Sequence, residues 1–262
     1  MRFSKYQGLG NDFVLVHASD AFDSMFQTEV DRTALAQRIC DRRYGVGADG
    51  LLLITSTSTG IWQMTVYNSD GSRPEMCGNG LRCVAQYLVD TRRVGAHGFD
   101  IATDAGMKRV QVSDGMVEVD MGAIETIGLM EVEVDDRGFN GYFLDAGNPH
   151  FVVFEAWNEH EPERFGDRLA THPLFPEGAN ISFASVKRSN VIELRVWERG
   201  CGLTMACGTG ACATAVASWL TGACAPGPVT VELPGGALSI EGSQARVLMK
   251  GPAKLTFEGT WR

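Results

Sequence analysis

The sequence predicts an α+β fold made of two related lobes. Three observations carry this reading. Strand-like runs outnumber helical ones, they do not alternate regularly with helices as a doubly wound parallel sheet requires, and a Cys-Gly-x-Gly element occurs twice, half a chain length apart. At 262 residues the chain can form two lobes of ordinary size and bury a core without covalent staples.

The β-like runs are Phe13 to His17, Leu51 to Thr55, Gln63 to Tyr67, Val110 to Val112, Val117 to Met121, Phe151 to Phe154, Ile192 to Trp197, Val229 to Leu233 and Ala245 to Met249, each apolar or alternating and bounded by turn residues. Helical periodicity predicts three helices, from about Asp31 to Arg43, Gly80 to Val89 and Gly208 to Leu220. The last is rich in alanine and stops before Gly222, a residue suited to a C-cap. Pro and Gly are spread through turns rather than collected in a linker. The echo is specific. Cys77-Gly78-Asn79-Gly80 leads into one apolar helix and Cys207-Gly208-Thr209-Gly210 into another, so each lobe is expected to present a helix N-terminus headed by a thiol.

Composition limits what such a chain can do. With 44% hydrophobic and 21% charged residues it reads as an ordinary globular protein, and no apolar run is long enough for a transmembrane helix. A formal net charge of −9 leaves no basic field to displace counterions from nucleic acid or to hold anionic lipid, so a small polar ligand is the expected partner. The opening MRFSKYQGLGNDF lacks the apolar core of a secretory signal, which points to a cytoplasmic location. Seven cysteines, an odd count, then read as thiols rather than bridges.

A cysteine just ahead of a helix lies at the positive end of the helix dipole, beside backbone N–H groups that have no acceptor within the helix. Both effects favour thiolate, and the same N–H groups suit a carboxylate. Two such thiols on opposite sides of a carboxylate-bearing carbon can act as base and acid in turn, removing the α-proton from one face and returning one to the other. The bland alternative, that Cys is a small buried hydrophobe, is assigned to Cys40, Cys83, Cys212 and Cys224. A zinc site lacks the Cys-x-x-Cys or spaced His pairs it needs, so no metal is expected. The run Gly45-Val46-Gly47-Ala48-Asp49-Gly50 matches a dinucleotide-loop pattern, but a helix precedes it and a strand follows, the reverse of the order that loop requires.

Over nearly its whole length the chain resembles the diaminopimelate epimerases. The resemblance runs through Gly10-Asn11-Asp12-Phe13, Tyr67-Asn68-Ser69-Asp70-Gly71-Ser72, Met76-Cys77-Gly78-Asn79-Gly80-Leu81-Arg82-Cys83, Gly147-Asn148-Pro149-His150, Glu198-Arg199-Gly200 and Ala206-Cys207-Gly208-Thr209-Gly210. It implies two pseudo-symmetric lobes of mixed sheet or barrel, each around a central helix, with the active site in the cleft between them. On this reading residues 1–118 form the lobe carrying Cys77 and 119–262 the lobe carrying Cys207, the last strand being able to return to the first lobe. It further implies a homodimer without metal or cofactor that converts LL-2,6-diaminopimelate to the meso form in lysine and peptidoglycan precursor synthesis.

Carried over motif by motif, Cys77 and Cys207 become the acid/base pair, with His150 and Glu198 supporting catalysis. Gly78, Asn79, Gly208 and Thr209 become the cradle of the reacting carboxylate. Arg199 is given the distal carboxylate, Glu198 the distal ammonium, and Asn11, Asn68, Asn148 and Asn180 the remaining polar contacts. The family pattern after Glu-Arg-Gly continues Ala-Gly-Glu-Thr, whereas this chain has Cys201-Gly202-Leu203-Thr204. A two-thiol racemase or isomerase acting on another amino acid is the within-class alternative, and a thiol redox or metal-binding protein the rival from another class.

Overall fold

The structure, a computed structural model, describes residues 1–17, 28–57, 59–154, 158 and 160–262. The chain divides into two compact units, residues 1–119 with 251–262 and residues 120–250.

The first unit contains strands β1 (Arg2–Gly8) and β2 (Asn11–His17), helix α1 (Glu29–Cys40), β3 (Gly50–Ser56), β4 (Trp62–Asn68), helix α2 (Gly78–Asp90), β5 (Phe99–Thr103), β6 (Gly106–Ser113) and β7 (Met116–Gly122). Pairing is antiparallel between β1 and β2, parallel between β2 and β3, antiparallel between β3 and β4, parallel between β4 and β5, and antiparallel from β5 through β6 to β7. β2 and β3 are apolar on both faces because both faces are covered. Val14, Val16, Leu51 and Leu53 pack with Leu35, Ala36 and Ile39 of α1. The alternate residues, Leu15 and Leu52 among them, face the other way, and Leu52 reaches α2 beside Gly80. The strands β1, β2, β3, β4 and β6 all touch α2, which is buried at nearly every position from Gly78 to Leu88.

The second unit continues with β8 (Glu125–Val134), β9 (Arg137–Asp145), β10 (Pro149–Val153), helix α3 (Glu161–Ala170), β11 (Asn180–Arg188), β12 (Val191–Glu198), β13 (Gly202–Leu203), helix α4 (Gly208–Thr221), β14 (Val229–Leu233), β15 (Gly236–Ser243) and β16 (Arg246–Pro252). The order of pairings repeats that of the first unit. β9–β10 is antiparallel, β10–β11 parallel, β11–β12 antiparallel, β12–β14 parallel, and β14–β15 and β15–β16 antiparallel. α3 packs outside this sheet through Phe165, Leu169 and Ala170, as α1 does in the first unit, while α4 is the enclosed helix, touching β9, β10, β11, β14 and β15. The chain then returns to the first unit with β17 (Lys254–Thr260), which pairs antiparallel with β1. The echo seen in the sequence is thus a repeat of topology. The expected α+β fold of two pseudo-symmetric lobes is what the chain adopts.

Some element boundaries differ from the sequence reading. α1 starts at Glu29 because Thr28 and Asp31 form a reciprocal capping box, and it stops at Cys40 because the Asp41 carboxylate accepts from the Arg43 and Tyr44 N–H groups and turns the chain. α3 was not expected. Its start, Glu161-Pro162-Glu163, carries an ordinary helix signal, proline in the first turn with acidic neighbours. The strands β1, β5, β8, β9, β11, β13, β15 and β17 were also missed, since charges and glycines interrupt several of them. Cys40, Cys83, Cys212 and Cys224 are buried, as assigned. No described helix is long and apolar enough to cross a membrane.

Candidate active site

Cys77 is the N-cap of α2 and Cys207 the N-cap of α4. Their backbones match, with φ/ψ of −139°/103° and −121°/111°. Each thiol folds back over the first turn and accepts a backbone N–H: Gly80 N to Cys77 Sγ at 3.3 Å, Gly210 N to Cys207 Sγ at 3.4 Å. The second glycine of each motif follows from this geometry. A Cβ on Gly80 would stand 3.4 Å from Cys77 Sγ and 3.1 Å from Leu52, and one on Gly210 would stand 3.3 Å from Cys207 Sγ and 3.2 Å from Val196. A side chain at either position would crowd these neighbours, which would have to give by a few tenths of an ångström. The next turn closes normally, Leu81 N to Cys77 O and Ala211 N to Cys207 O, so helix geometry directs the N–H groups of Gly78, Asn79, Gly208 and Thr209 out of the helix ends.

In the first unit Asn79, second residue of α2, donates its Nδ2 to Asn11 Oδ1 at 3.0 Å, and Asn11 donates to Asp49 Oδ2 at 2.7 Å. The fully buried Arg82 donates to Asn79 Oδ1 at 2.9 Å and to the Pro252 carbonyl at 3.3 Å. Beyond Asp49 lie Arg42, 2.7 Å from its Oδ1, and Asp12, which pairs with both Arg42 and Lys5. Burial would raise the Asp12 carboxyl, but hydrogen bonds from Arg42 and Lys5 override it and hold the group down at about 2. Asn68, at the end of β4, donates to Ser72 Oγ at 2.9 Å across the turn that leads toward Cys77.

The equivalent place in the second unit is filled differently. Thr209, second residue of α4, has its Oγ1 3.5 Å from Cys207 Sγ and 3.0 Å from His150 Nε2, and that nitrogen also lies 3.0 Å from Asn148 Oδ1. His150 is completely buried, and the loss of hydration pushes its imidazole down to about 3, so it is neutral at ordinary pH. It reaches Cys207 through Thr209. At the end of β12, Glu198 Oε1 accepts from Thr204 Oγ1 at 2.6 Å. Asn180 uses both ends of its amide as a brace, accepting the Arg199 N–H at 3.0 Å and donating to the Pro149 carbonyl at 3.1 Å. The exposed Arg199 side chain donates to the Glu177 carbonyl, and glycine at 178 leaves room for it, since a Cβ there would stand 2.7 Å from Arg199 Cδ.

The family model described as diaminopimelate epimerase matches residues 3–127 and 142–256. The chain is 43% identical to the diaminopimelate epimerase of Desulforudis audaxviator, over 100% of this chain and 99% of that protein. It is 40% identical to that of Microcystis aeruginosa, over 99% of this chain and 98% of that protein. The chain belongs to the diaminopimelate epimerase family. Among solved structures, a phenazine biosynthesis protein of the PhzF family from Bacillus anthracis shares the fold with a TM-score of 0.77 at 15% identity, covering 99% of this chain and 98% of that one. A hydroxyproline epimerase from Agrobacterium vitis does so at 0.73 and 12% identity, covering 99% and 91%.

For this member of the diaminopimelate epimerase family the structure gathers Asn11 and Asn79 with Cys77 in the first unit, and Asn148, His150 and Thr209 with Cys207 in the second. Asp49, Asp12, Arg42 and Arg82 are the polar residues that sequence reasoning left out. Arg82 had a signal, a single charge within the apolar run Leu81 to Ala85. Asp49 sits in the glycine run set aside as no dinucleotide loop; α1 precedes that run and β3 follows it, and here it holds Asn11. In the loop that departs from the family pattern, Cys201 is exposed and Leu203 is 38% exposed.

Proposed function

We propose that the chain epimerises LL-2,6-diaminopimelate to meso-diaminopimelate with Cys77 and Cys207 as its two acid/base groups. The observation that carries this reading is the matched pair of N-capping thiols, each accepting a backbone N–H where a helix dipole and outward-directed N–H groups favour negative charge. One sulfur, as thiolate, takes the α-proton. The electron pair left on carbon is delocalised into the adjacent carboxylate, held by the N–H groups of Gly78, Asn79, Gly208 and Thr209. The other sulfur, as thiol, gives its proton to the opposite face and ends as thiolate. Configuration inverts, and the enzyme is left with its protonation reversed.

His150 supports the Cys207 side as a neutral partner of Thr209, and Glu198 receives the distal ammonium. Arg199 takes the distal carboxylate as a fork, exchanging the Glu177 carbonyl for it. Asn11, Asn68, Asn148 and Asn180 complete the polar surround. The reaction needs no cofactor and no metal, and the working form is a cytoplasmic homodimer. The paired charges of Glu198 and Arg199 favour a substrate with two amino-acid ends over the single-ended amino acid of the alternative racemase reading.

Incubation of the purified protein with LL-diaminopimelate in heavy water tests the proposal. Formation of the meso isomer with one deuterium at the inverted α-carbon is expected. No exchange, or exchange with retention only, would sink it.

A further inference from the structure

Asn79 and Asn11 stand between two groups of opposite and fixed hydrogen-bonding character. A primary amide can turn over without changing its outline, so its orientation is set only by its partners. At one end Arg82 can only donate, and its Nη2 lies 2.9 Å from Asn79 Oδ1. At the other the Asp49 carboxylate can only accept, and its Oδ2 lies 2.7 Å from Asn11 Nδ2 and 3.0 Å from the Asp12 N–H. Turning Asn79 would set its NH2 against the guanidinium, and turning Asn11 would set its carbonyl oxygen against a carboxylate. One setting satisfies every contact. Arg42 fixes Asp49 from behind at 2.7 Å, and the Pro252 carbonyl fixes Arg82 at 3.3 Å. The second unit has Cys212, not a cation, three residues after Thr209.

We propose that Arg82 and Asp49 are positioning residues that lock the amides of Asn79 and Asn11 in a single orientation, so that Asn11 presents its second N–H and its second oxygen lone pair to the substrate in fixed places. The proposal rests on the substrate-binding role given to Asn11 above. Charge-assisted hydrogen bonds at both ends hold such a setting, and loss of the carboxylate end sets Asn11 against the orientation that Arg82 imposes through Asn79.

The test is a double-mutant cycle between Asp49→Asn and Asn11→Ala, read in KM and kcat with LL-diaminopimelate and in side-chain amide NMR of the free protein. Asp49→Asn keeps size but has one oxygen to serve donors on both sides, Arg42 on one and Asn11 with the Asp12 N–H on the other, so Asn11 loses its charged acceptor and is pushed to turn against Asn79. KM is expected to rise about tenfold, the size of one charge-assisted hydrogen bond, while kcat changes no more than about twofold. The double variant should be no worse than Asn11→Ala alone, since Asp49 acts through Asn11. In the spectrum the Asn79 amide, which does not touch Asp49, should shift and lose protection from solvent exchange. Arg82→Met should shift the Asn11 amide in the same way, and if that variant fails to fold the Asp49 arm decides. Unchanged KM together with an unmoved Asn79 amide, or additive losses in the cycle, would overturn the proposal. If the wild-type protein does not exchange the α-proton of diaminopimelate, the functional reading has failed instead, and the NMR arm still tells whether the relay exists.

Discussion

The two units share one order of strand pairings and the same N-capping thiol, yet they complete the surroundings of that thiol with different chemistry. In the first, the residue after Gly78 is Asn79, tied through Asn11 to a charged lattice of Asp49, Asp12, Arg42 and Lys5 and anchored by the buried Arg82. In the second, the residue after Gly208 is Thr209, tied to an imidazole that burial keeps neutral. What the duplicated backbone supplies, a capped sulfur and an amide-lined helix end, is symmetric. What the side chains supply is not. On the proposed reaction, the shared backbone feature serves proton transfer and the differing side chains serve the orientation of the substrate.

The largest expected effect tests the symmetric part. Cys77→Ala and Cys207→Ala should each lower turnover by at least about a hundredfold, the scale of a lost general acid or base, with circular dichroism unchanged. Residual activity above that level in either folded variant would show that the two sulfurs are not equivalent partners. The next effect separates the units by pH. His150 is depressed from 6.5 to about 3, so the unfolded state binds the extra proton first and stability conferred by the neutral ring is present above pH 6.5 and drains away as pH falls toward 3. Asp12, depressed from 3.8 to about 2, contributes stability above pH 3.8 that is lost only as pH falls further. Urea unfolding between pH 7 and 4 should therefore lose up to about 1.4 kcal/mol per pH unit, and His150→Gln should flatten that slope while Asp12→Asn leaves it in place.

Arg199→Lys asks whether the asymmetric part binds the substrate's far end. An ammonium cannot reproduce the guanidinium fork, so KM for diaminopimelate should rise about tenfold or more with little change in fold stability. A normal KM would mean that another group holds the distal carboxylate. The smallest difference concerns access. Cys207 is only 5% exposed and Cys77 is less deeply buried, so limited iodoacetamide followed by peptide mapping should label Cys77 a few-fold faster. The exposed Cys201 should react ahead of both, and the buried Cys40, whose thiol burial pushes up to about 12, should not react in the folded protein. Faster labelling of Cys207 would reverse the order of access assigned to the two units.

The part of this site that could be read from the chain was local. Cys-Gly-x-Gly before an apolar helix states its own geometry, because the cap, the N–H groups of the helix end and the glycine under the sulfur all lie within four residues. Gly222 likewise ended α4 in the left-handed conformation expected of it. The residues that were not legible act at a distance. Nothing near Asp49 in sequence indicates that its carboxylate will meet Asn11, since that contact depends on β2 and β3 running parallel with Phe13 opposite Gly50. In β8 the half from Glu131 to Val134 alternates as a half-buried strand should, with Val132 and Val134 buried, but in the other half apolar Ile127 and Leu129 stand on the exposed side and blur the pattern. Pairing with β9 carries the strand on through that blurred half.

The place of β17 carries a consequence for how the molecule comes into being on the ribosome. β1 is built first, but one of its edges is closed by residues 254–260, which follow the entire second unit, and the ends are fastened by the Met1 ammonium to the Trp261 carbonyl at 2.9 Å and by the Trp261 N–H to the Met1 carbonyl. The second unit, a continuous stretch of chain, can therefore mature before residues 254–260 are made, whereas the first unit must hold an open sheet edge until they emerge. The nascent chain thus finishes its older half last, with β1 exposed to chaperones and to neighbouring chains in the meantime.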